Sequence, residues 1–411
     1  MGSGDPFVIV GCGQSAGWAA RTLRQEGHAR PIVMIGDEAH PPYERPPLSK
    51  AVLLGKAAPE STHLFPGAAW EGLGVEHRRG ATATRIEADN RRVVLSDDRS
   101  IPYERLLLAT GGRVRKLNVA GADLPGIFYL RTIDDSLSLA GELRSDGRLL
   151  VVGGGWIGLE VAAAARQRGM EVVLVEAAGQ LCGRALAGDI AGHLERLHRD
   201  HGADISLNCA VSRFEGTARL ERVQLTDGRR LEVSAAVIGV GIAPNDELAR
   251  GAGLAVDNGI VVDEYGRTSH PDIFAAGDVT NHPNALVGRR IRLESWENAQ
   301  NQAIVAGKAM LGKTEMPYAE VPWFWSDQYE ANLQLIGLPQ AWDRVATRKG
   351  GAGGSFLVCY FNAGRLQGAV GMNSGRDLKF VRRLMQARAS VDPGHISDAS
   401  IRLQDLLKAA T

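Results

Sequence analysis

Two glycine-rich loops constrain this chain more than any other feature. The first follows the apolar run Phe7-Val8-Ile9-Val10, reads Gly11-Cys12-Gly13-Gln14-Ser15-Ala16-Gly17, and opens into the helix-like Trp18-Ala19-Ala20-Arg21-Thr22-Leu23. The second lies 142 residues on, where Leu149-Leu150-Val151-Val152 leads into Gly153-Gly154-Gly155-Trp156-Ile157-Gly158 and then Leu159-Glu160-Val161-Ala162-Ala163. Strand, glycine turn and helix in that order make a dinucleotide cradle. The first glycine takes the tight turn, the next lets pyrophosphate approach backbone N–H groups, and a small residue such as Ala16 or Gly158 packs helix on strand. The positive end of the helix then faces the phosphates.

Each loop is followed by a second apolar run that ends in acid. Pro31-Ile32-Val33-Met34-Ile35 leads to Asp37 and Glu38, and Asp37, 26 residues past Gly11, is the preferred ribose partner. Glu171-Val172-Val173-Leu174-Val175 ends at Glu176, 23 residues past Gly153. A carboxylate there suits a 2′,3′-diol, and Ala177 and Ala178 bring no cation for a 2′-phosphate, which favours NADH over NADPH. One such fingerprint is weak, whereas two, each with its acid, are strong. A further repeat pairs Leu106-Leu107-Leu108-Ala109-Thr110-Gly111-Gly112 with Val237-Ile238-Gly239-Val240-Gly241-Ile242-Ala243-Pro244-Asn245; both are apolar strands that stop at glycines and mark crossovers between two nucleotide domains.

Composition narrows the class. At 411 residues the chain needs two to three domains of about 150 residues. Lys+Arg and Asp+Glu are 47 each, so no global field draws it to nucleic acid or anionic lipid. Cys12, Cys182, Cys209 and Cys359 are scattered with no CxxC, which argues against a disulfide framework, a metal site and a dithiol redox centre. The start of the chain lacks the basic and apolar regions of a signal peptide, and its longest apolar stretch, Leu149 to Ala165, is too short and too glycine-rich for a bilayer. A cytoplasmic location in a reducing compartment is expected.

Further motifs carry a family resemblance that covers essentially the whole chain. They are Pro42-Tyr43-Glu44-Arg45-Pro46-Pro47-Leu48-Ser49-Lys50, Ala109-Thr110-Gly111, Leu130-Arg131-Thr132, Gly241-Ile242-Ala243-Pro244-Asn245, Ala276-Gly277-Asp278, Glu294-Ser295-Trp296-Glu297-Asn298-Ala299 and Pro322-Trp323-Phe324-Trp325-Ser326-Asp327-Gln328. With both glycine loops, the chain resembles the two-dinucleotide flavoprotein reductases, and within them the NADH-dependent ferredoxin reductases serving bacterial Rieske oxygenases and cytochromes P450. The segment from Glu294 to Gln302 is more similar to the ring-hydroxylating dioxygenase reductases of aromatic hydrocarbon catabolism. The resemblance implies an α/β fold with two Rossmann-like, glutathione-reductase-like domains and a C-terminal α+β domain. FAD binds residues 1–113 and 244–320, NADH binds the inserted 114–243, and 321–411 covers the flavin and contributes to ferredoxin docking.

The resemblance also implies roles. Lys50, on a proline-stiffened loop, and Glu160 form the catalytic pair near flavin N5, where a cation stabilises the reduced flavin and the carboxylate orients the nicotinamide. FAD contacts fall to Gly11, Gly13, Ser15, Ala16, Asp37, Arg45, Lys50, Ala83, Ala109, Thr110, Gly111, Arg131, Gly277, Asp278 and Trp296. NAD contacts fall to Gly153, Gly155, Ile157, Gly158, Glu160, Glu176, Arg184 and Gly241. Trp325 is the electron exit, and the partner is a two-iron ferredoxin of Rieske or plant type. Such ferredoxins are usually acidic, so Arg376, Lys379, Arg382, Arg383 and Arg388, or Arg289, Arg290 and Arg292, are candidate docking cations, with a solvated helix face the plainer reading of the first set. No cysteine lies between Glu38 and Lys50, so electrons must leave the flavin without a thiol relay. An NADH oxidase, and an NADH-sensing flavoprotein resembling apoptosis-inducing factor, are the alternatives; monomer and dimer both stay open.

Overall fold

In the computed structural model, residues 4–183, 185–350 and 354–410 are described. The apolar runs that read as strands form two parallel five-stranded sheets. In the first, the order is Ile273–Ala275, Arg105–Leu108, Phe7–Val10, Ile32–Gly36, Val75–Arg79. In the second it is Asp204–Leu207, Glu171–Glu176, Arg148–Val152, Ala235–Ile238, Ile127–Phe128. Parallel strands covered on both faces read as continuous apolar runs, and Val8, Ile9, Leu107, Leu149, Leu150 and Val151 are fully buried. Each sheet has a small antiparallel companion: Ala83–Glu87, Arg92–Leu95 and Ser100–Pro102 beside the first, Val211–Glu215, Arg222–Leu225 and Arg230–Glu232 beside the second. The repeat read from the glycine loops therefore extends through a whole architectural unit.

The first sheet is discontinuous in sequence, because Ile273–Ala275 returns to lie beside Arg105–Leu108. Between them the chain crosses on two short strands, Gly112–Val114 and Ile242–Pro244, paired antiparallel. These are the two crossovers expected from the glycine-terminated strands. Asn245 locks them: Thr110 Oγ1 donates to Asn245 O at 2.7 Å, and Asn245 Nδ2 donates to Thr110 O at 2.9 Å.

The third sheet is antiparallel, in the order Trp323–Gln328, Ala331–Gly337, Arg365–Met372, Phe356–Asn362, Arg344–Lys349, and the helix Gly375–Gln386 packs on it through Leu378, Val381 and Leu384. Its outermost strand, Trp323–Gln328, lies against the helix Trp156–Gln167 of the second sheet's unit. That contact brings the third sheet to the site. Among the described residues, no helix is long and apolar enough to cross a membrane.

Candidate functional site

Both glycine turns adopt the conformations their roles demand. Gly11 and Gly153 have φ of +114° and +105°, a region costly for any residue with a Cβ. A Cβ on Gly158 would run into the backbone carbonyl of Gly153, so helix and turn touch only because residue 158 is glycine. The helices Gln14–Gln25 and Trp156–Gln167 begin at Gly13 and Gly155, neither with a side-chain cap, which leaves their first-turn N–H groups open to the loop. A Cβ on Gly13 would meet nothing within 4 Å. The loop is therefore open on the side that a phosphate would approach.

One cavity of about 1530 Å³ is lined by both loops, by Asp37 and Glu176 at the ends of the second strands, and by Arg45, Lys50, Ala83, Ala109, Thr110, Gly111, Arg131, Ile157, Glu160, Gly241, Asp278, Trp296 and Trp325. Among the described residues, every predicted nucleotide-site residue except Ala16, Gly158 and Gly277 thus faces one space. Gly158, Ala16 and Gly277 stand behind its wall: Gly277 has φ +87°, and its N–H donates to Gln302 Oε1 at 2.8 Å. Ser15 lines the cavity, but its hydroxyl donates to Ala299 O at 2.9 Å, so its O–H is spent holding two helices together. Arg184 lies outside the described residues.

Three local devices shape the first loop's half. Glu38, adjacent to Asp37, accepts from Tyr43 and from Arg45 Nη2 at 2.7 Å, whereas Asp37 makes no such bond among the described residues and stays exposed to the cavity. Arg131 is set by a capping box, in which Asp135 Oδ2 accepts from the N–H groups of Arg131 and Thr132 at 3.0 and 2.8 Å. Arg131 Nη2 reaches Asp278 Oδ2 at 3.3 Å, while burial, and then Arg45, hold its guanidinium below the usual arginine range. Its Nε is buried with no partner among the described residues. A cation with an unsatisfied donor beside an open phosphate cradle fits an anionic nucleotide.

Lys50 and Glu160 meet, 110 residues apart, with Lys50 Nζ 2.7 Å from Glu160 Oε2. Lys50 Nζ also donates to Pro46 O at 3.2 Å, so two of the ammonium's three donors are placed and one is left. Glu160 is 3% exposed and accepts two hydroxyl donors as well, Ser49 Oγ at Oε2 and Ser326 Oγ at Oε1, the latter at 2.6 Å. The sequence motifs contain both serines but give no sign that they converge here. Ser326 comes from the third sheet.

The aromatic residues divide. Phe324 packs on Trp156, with centroids 5.0 Å apart, at the start of the second loop's helix. Trp325 lies edge-on to Trp296 at 6.1 Å and stacks on Trp323 at 4.8 Å, a run of indoles from the cavity wall outward. The predicted basic patches need correction. Arg382 is no free cation: it clasps Glu297 through both Nη atoms at 2.8 and 2.7 Å and reaches Glu320 at 3.2 Å, because the helix turns that position toward the rest of the protein. Arg290 is drawn into hydrogen bonds with Asn281 and Val262, and Arg292 pairs with Glu294 at 2.7 Å. Arg376, Lys379 and Arg383 stay exposed.

All four cysteines are buried and none forms a disulfide. Cys12 packs on Gly36, and burial, with Glu38 beside it, pushes its thiol up to about 11, which leaves it a space-filler rather than a nucleophile.

Comparison with known proteins places this geometry. Along 98% of the chain and all of the relative, it is 41% identical to the ferredoxin--NAD(+) reductase component of the anthranilate 1,2-dioxygenase system of Burkholderia cepacia. Over its full length, and 98% of the relative, it is 38% identical to putidaredoxin reductase of Pseudomonas putida. The fold matches the reductase in the crystal structure of the covalent putidaredoxin reductase–putidaredoxin complex with a TM-score of 0.96 at 38% identity, covering 100% of this chain and 99% of that one. Residues 323–407 match the reductase C-terminal domain, and residues 5–303 match across both nucleotide loops. The chain belongs to the pyridine nucleotide-disulphide oxidoreductase family.

Proposed function

We propose that this protein is an NADH-dependent ferredoxin reductase that feeds an oxygenase, preferentially a dioxygenase system. The observation that carries the reading is the Lys50–Glu160 pair, 2.7 Å apart in the cavity that both glycine loops line. In this reading residues 1–113 and 244–320 bind FAD, 114–243 bind NADH, and 321–411 cover the flavin. Bound FAD supplies the chemistry, taking a hydride from NADH and giving up electrons singly to an acceptor.

The residues supply placement and charge. Gly11, Gly13 and Ser15 offer backbone to the FAD pyrophosphate with Ala16 packed behind them, Asp37 the ribose acceptor, and Arg45 and Arg131 the fixed cations, while Ala83, Ala109, Thr110, Gly111, Asp278 and Trp296 complete the wall and Gly277 supports it from behind. Gly153, Gly155, Ile157 and Gly241 do the same for NADH, with Gly158 packed behind the loop and Glu176 at the ribose. The backbone fixes the Glu176 carboxylate in place, since Oε2 accepts from Gly154 N at 2.6 Å and Oε1 from Ala178 N at 2.7 Å. Lys50, with one donor free, stabilises negative charge on the reduced ring, and Glu160 orients the nicotinamide. Trp325 lies on the exit route, and the acceptor is a two-iron ferredoxin.

The test is a comparison of acceptors. Protein loaded with FAD and reduced anaerobically by NADH should pass electrons to a two-iron ferredoxin faster than to oxygen, and Trp325→Ala should slow that transfer while leaving NADH reduction of the flavin intact. Turnover with oxygen that equals turnover with ferredoxin would overturn the proposal.

A further inference from the structure

A chain of buried hydrogen bonds runs from the surface to Glu160, and neither the nucleotide loops nor the Lys50–Glu160 pair accounts for it. Ser326 Oγ bonds Glu160 Oε1 at 2.6 Å, Gln328 Nε2 donates to Ser326 Oγ at 3.0 Å, and Gln328 Oε1 meets His198 Nε2 at 2.8 Å. Tyr329 OH lies 3.4 Å from His198 Nδ1. Ser326 and His198 have no exposure and Gln328 only 2%, so these polar groups are bonded to one another instead of to water.

The direction of the chain follows from the chemistry of its members. Burial lowers His198 to about 4, so the imidazole is neutral at pH 7. Gln328 spends its N–H on Ser326, which leaves its carbonyl to accept, so His198 carries its proton on Nε2 and accepts from Tyr329 on Nδ1. Every O–H and N–H then points the same way, Tyr329 to His198 to Gln328 to Ser326, and the last donor ends on a carboxylate. Aligned donors polarise one another, most strongly in a dry interior and toward a negative charge.

The chain also joins three separate elements. His198 is on the helix Gly188–Asp200, Glu160 on Trp156–Gln167, and Ser326 and Gln328 on the edge strand of the third sheet. Strand alternation puts Ser326 and Gln328 inward and Asp327 outward, with Trp325 bonded to Asp327 Oδ2 at 3.2 Å on that outer face. The outer end is fixed too, since His201 stacks on Tyr329 at 3.7 Å and pairs with Glu330 at 3.3 Å.

We propose that Ser326, backed by Gln328 and His198, is the positioning residue that holds the Glu160 carboxylate against Lys50, so that the third domain completes the hydride-transfer site as well as covering it. This rests on the function proposed above. Lys50 and Ser49 both meet Glu160 at Oε2, which leaves the carboxylate free to turn about that oxygen, whereas the Ser326 donor at Oε1 selects one orientation.

The experiment compares Ser326→Ala, Ser326→Thr, His198→Phe and the Ser326→Ala/His198→Phe double variant in FAD-loaded protein. Loss of a hydrogen bond to a charged group predicts that Ser326→Ala slows flavin reduction by NADH about tenfold. FAD retention should stay unchanged, and the flavin midpoint potential should move to more positive values as the Lys50 charge loses its counter-ion. Ser326→Thr should restore both rate and potential. His198→Phe should give a smaller effect of the same sign, and the double variant should match Ser326→Ala, since residues in one chain do not act additively. A Ser326→Ala protein with wild-type rate and potential, or effects that multiply in the double variant, would overturn the inference. Gln328→Met, nearly isosteric and unable to relay, must show the same pattern, which keeps the inference open to refutation even where Ser326→Ala fails to fold. Wild-type protein that NADH does not reduce would instead count against the proposed function.

Discussion

Glu176→Gln is the sharpest probe of the second nucleotide loop. A carboxylate offers about four acceptor sites, and the backbone N–H groups of Gly154 and Ala178 take two of them, which leaves two for the paired hydroxyls of a ribose. Glutamine keeps one oxygen. Its amide N–H₂ must then face a backbone donor, so at least one charge-assisted bond of about 1.5–3 kcal/mol is lost, a fall of about 10- to 100-fold in kcat/KM for NADH. The effect on NADPH has the opposite sign. A 2′-phosphate about 4 Å from a carboxylate is repelled by about 4 kcal/mol per pair of unit charges at a surface-like dielectric, and glutamine removes that repulsion. The ratio of kcat/KM for the two coenzymes, measured with ferricyanide as acceptor, should therefore narrow by about a hundredfold or more. Direct titration of the oxidised coenzyme would check that binding, and not the redox step, has changed. Selectivity that stays where it was would remove Glu176 from ribose recognition.

Two other outcomes follow from the burial of charged and titratable groups. Lys50→Met strips the countercharge from a nearly buried carboxylate and removes a donor from the redox centre. Stopped-flow reduction by NADH should fall about a hundredfold, more than FAD affinity falls, and the reverse order would count against the assignment. His198 and His282 are fully buried, and burial lowers both to about 4, with His201 adding to the shift on His198 and Arg290 to that on His282. Their folded values lie below the unfolded value of about 6.5, so the unfolded chain takes up protons first; stability is whole above about pH 6.5 and is lost as pH falls toward 4, by about 3 kcal/mol for each histidine. Urea midpoints measured from pH 7.5 to 4.5 should show the loss, and His282→Asn should flatten the slope; an unchanged slope would show that His282 is not the group responsible.

The parallel strands, the glycine turns and the acids that close them were all legible in the chain, because each is a local matter. A tight turn needs glycine within a few residues of the strand it ends, and a strand covered on both faces needs a short continuous apolar run. The two crossovers could be read for the same reason. The Lys50–Glu160 pair was legible only through family resemblance, since nothing local links residues 110 positions apart. What holds that pair was invisible: Ser49, Ser326, Gln328 and His198 each read as an ordinary polar residue, and Glu160 and Ser326 are separated by 166 positions. Arg382 shows the same limit, read as a surface cation and found clasped to Glu297. Periodicity and turn chemistry are properties of neighbours along the chain. Whether a polar side chain ends in water or against a distant carboxylate depends on which elements pack together, and that is decided only when the third sheet closes on the nucleotide domains.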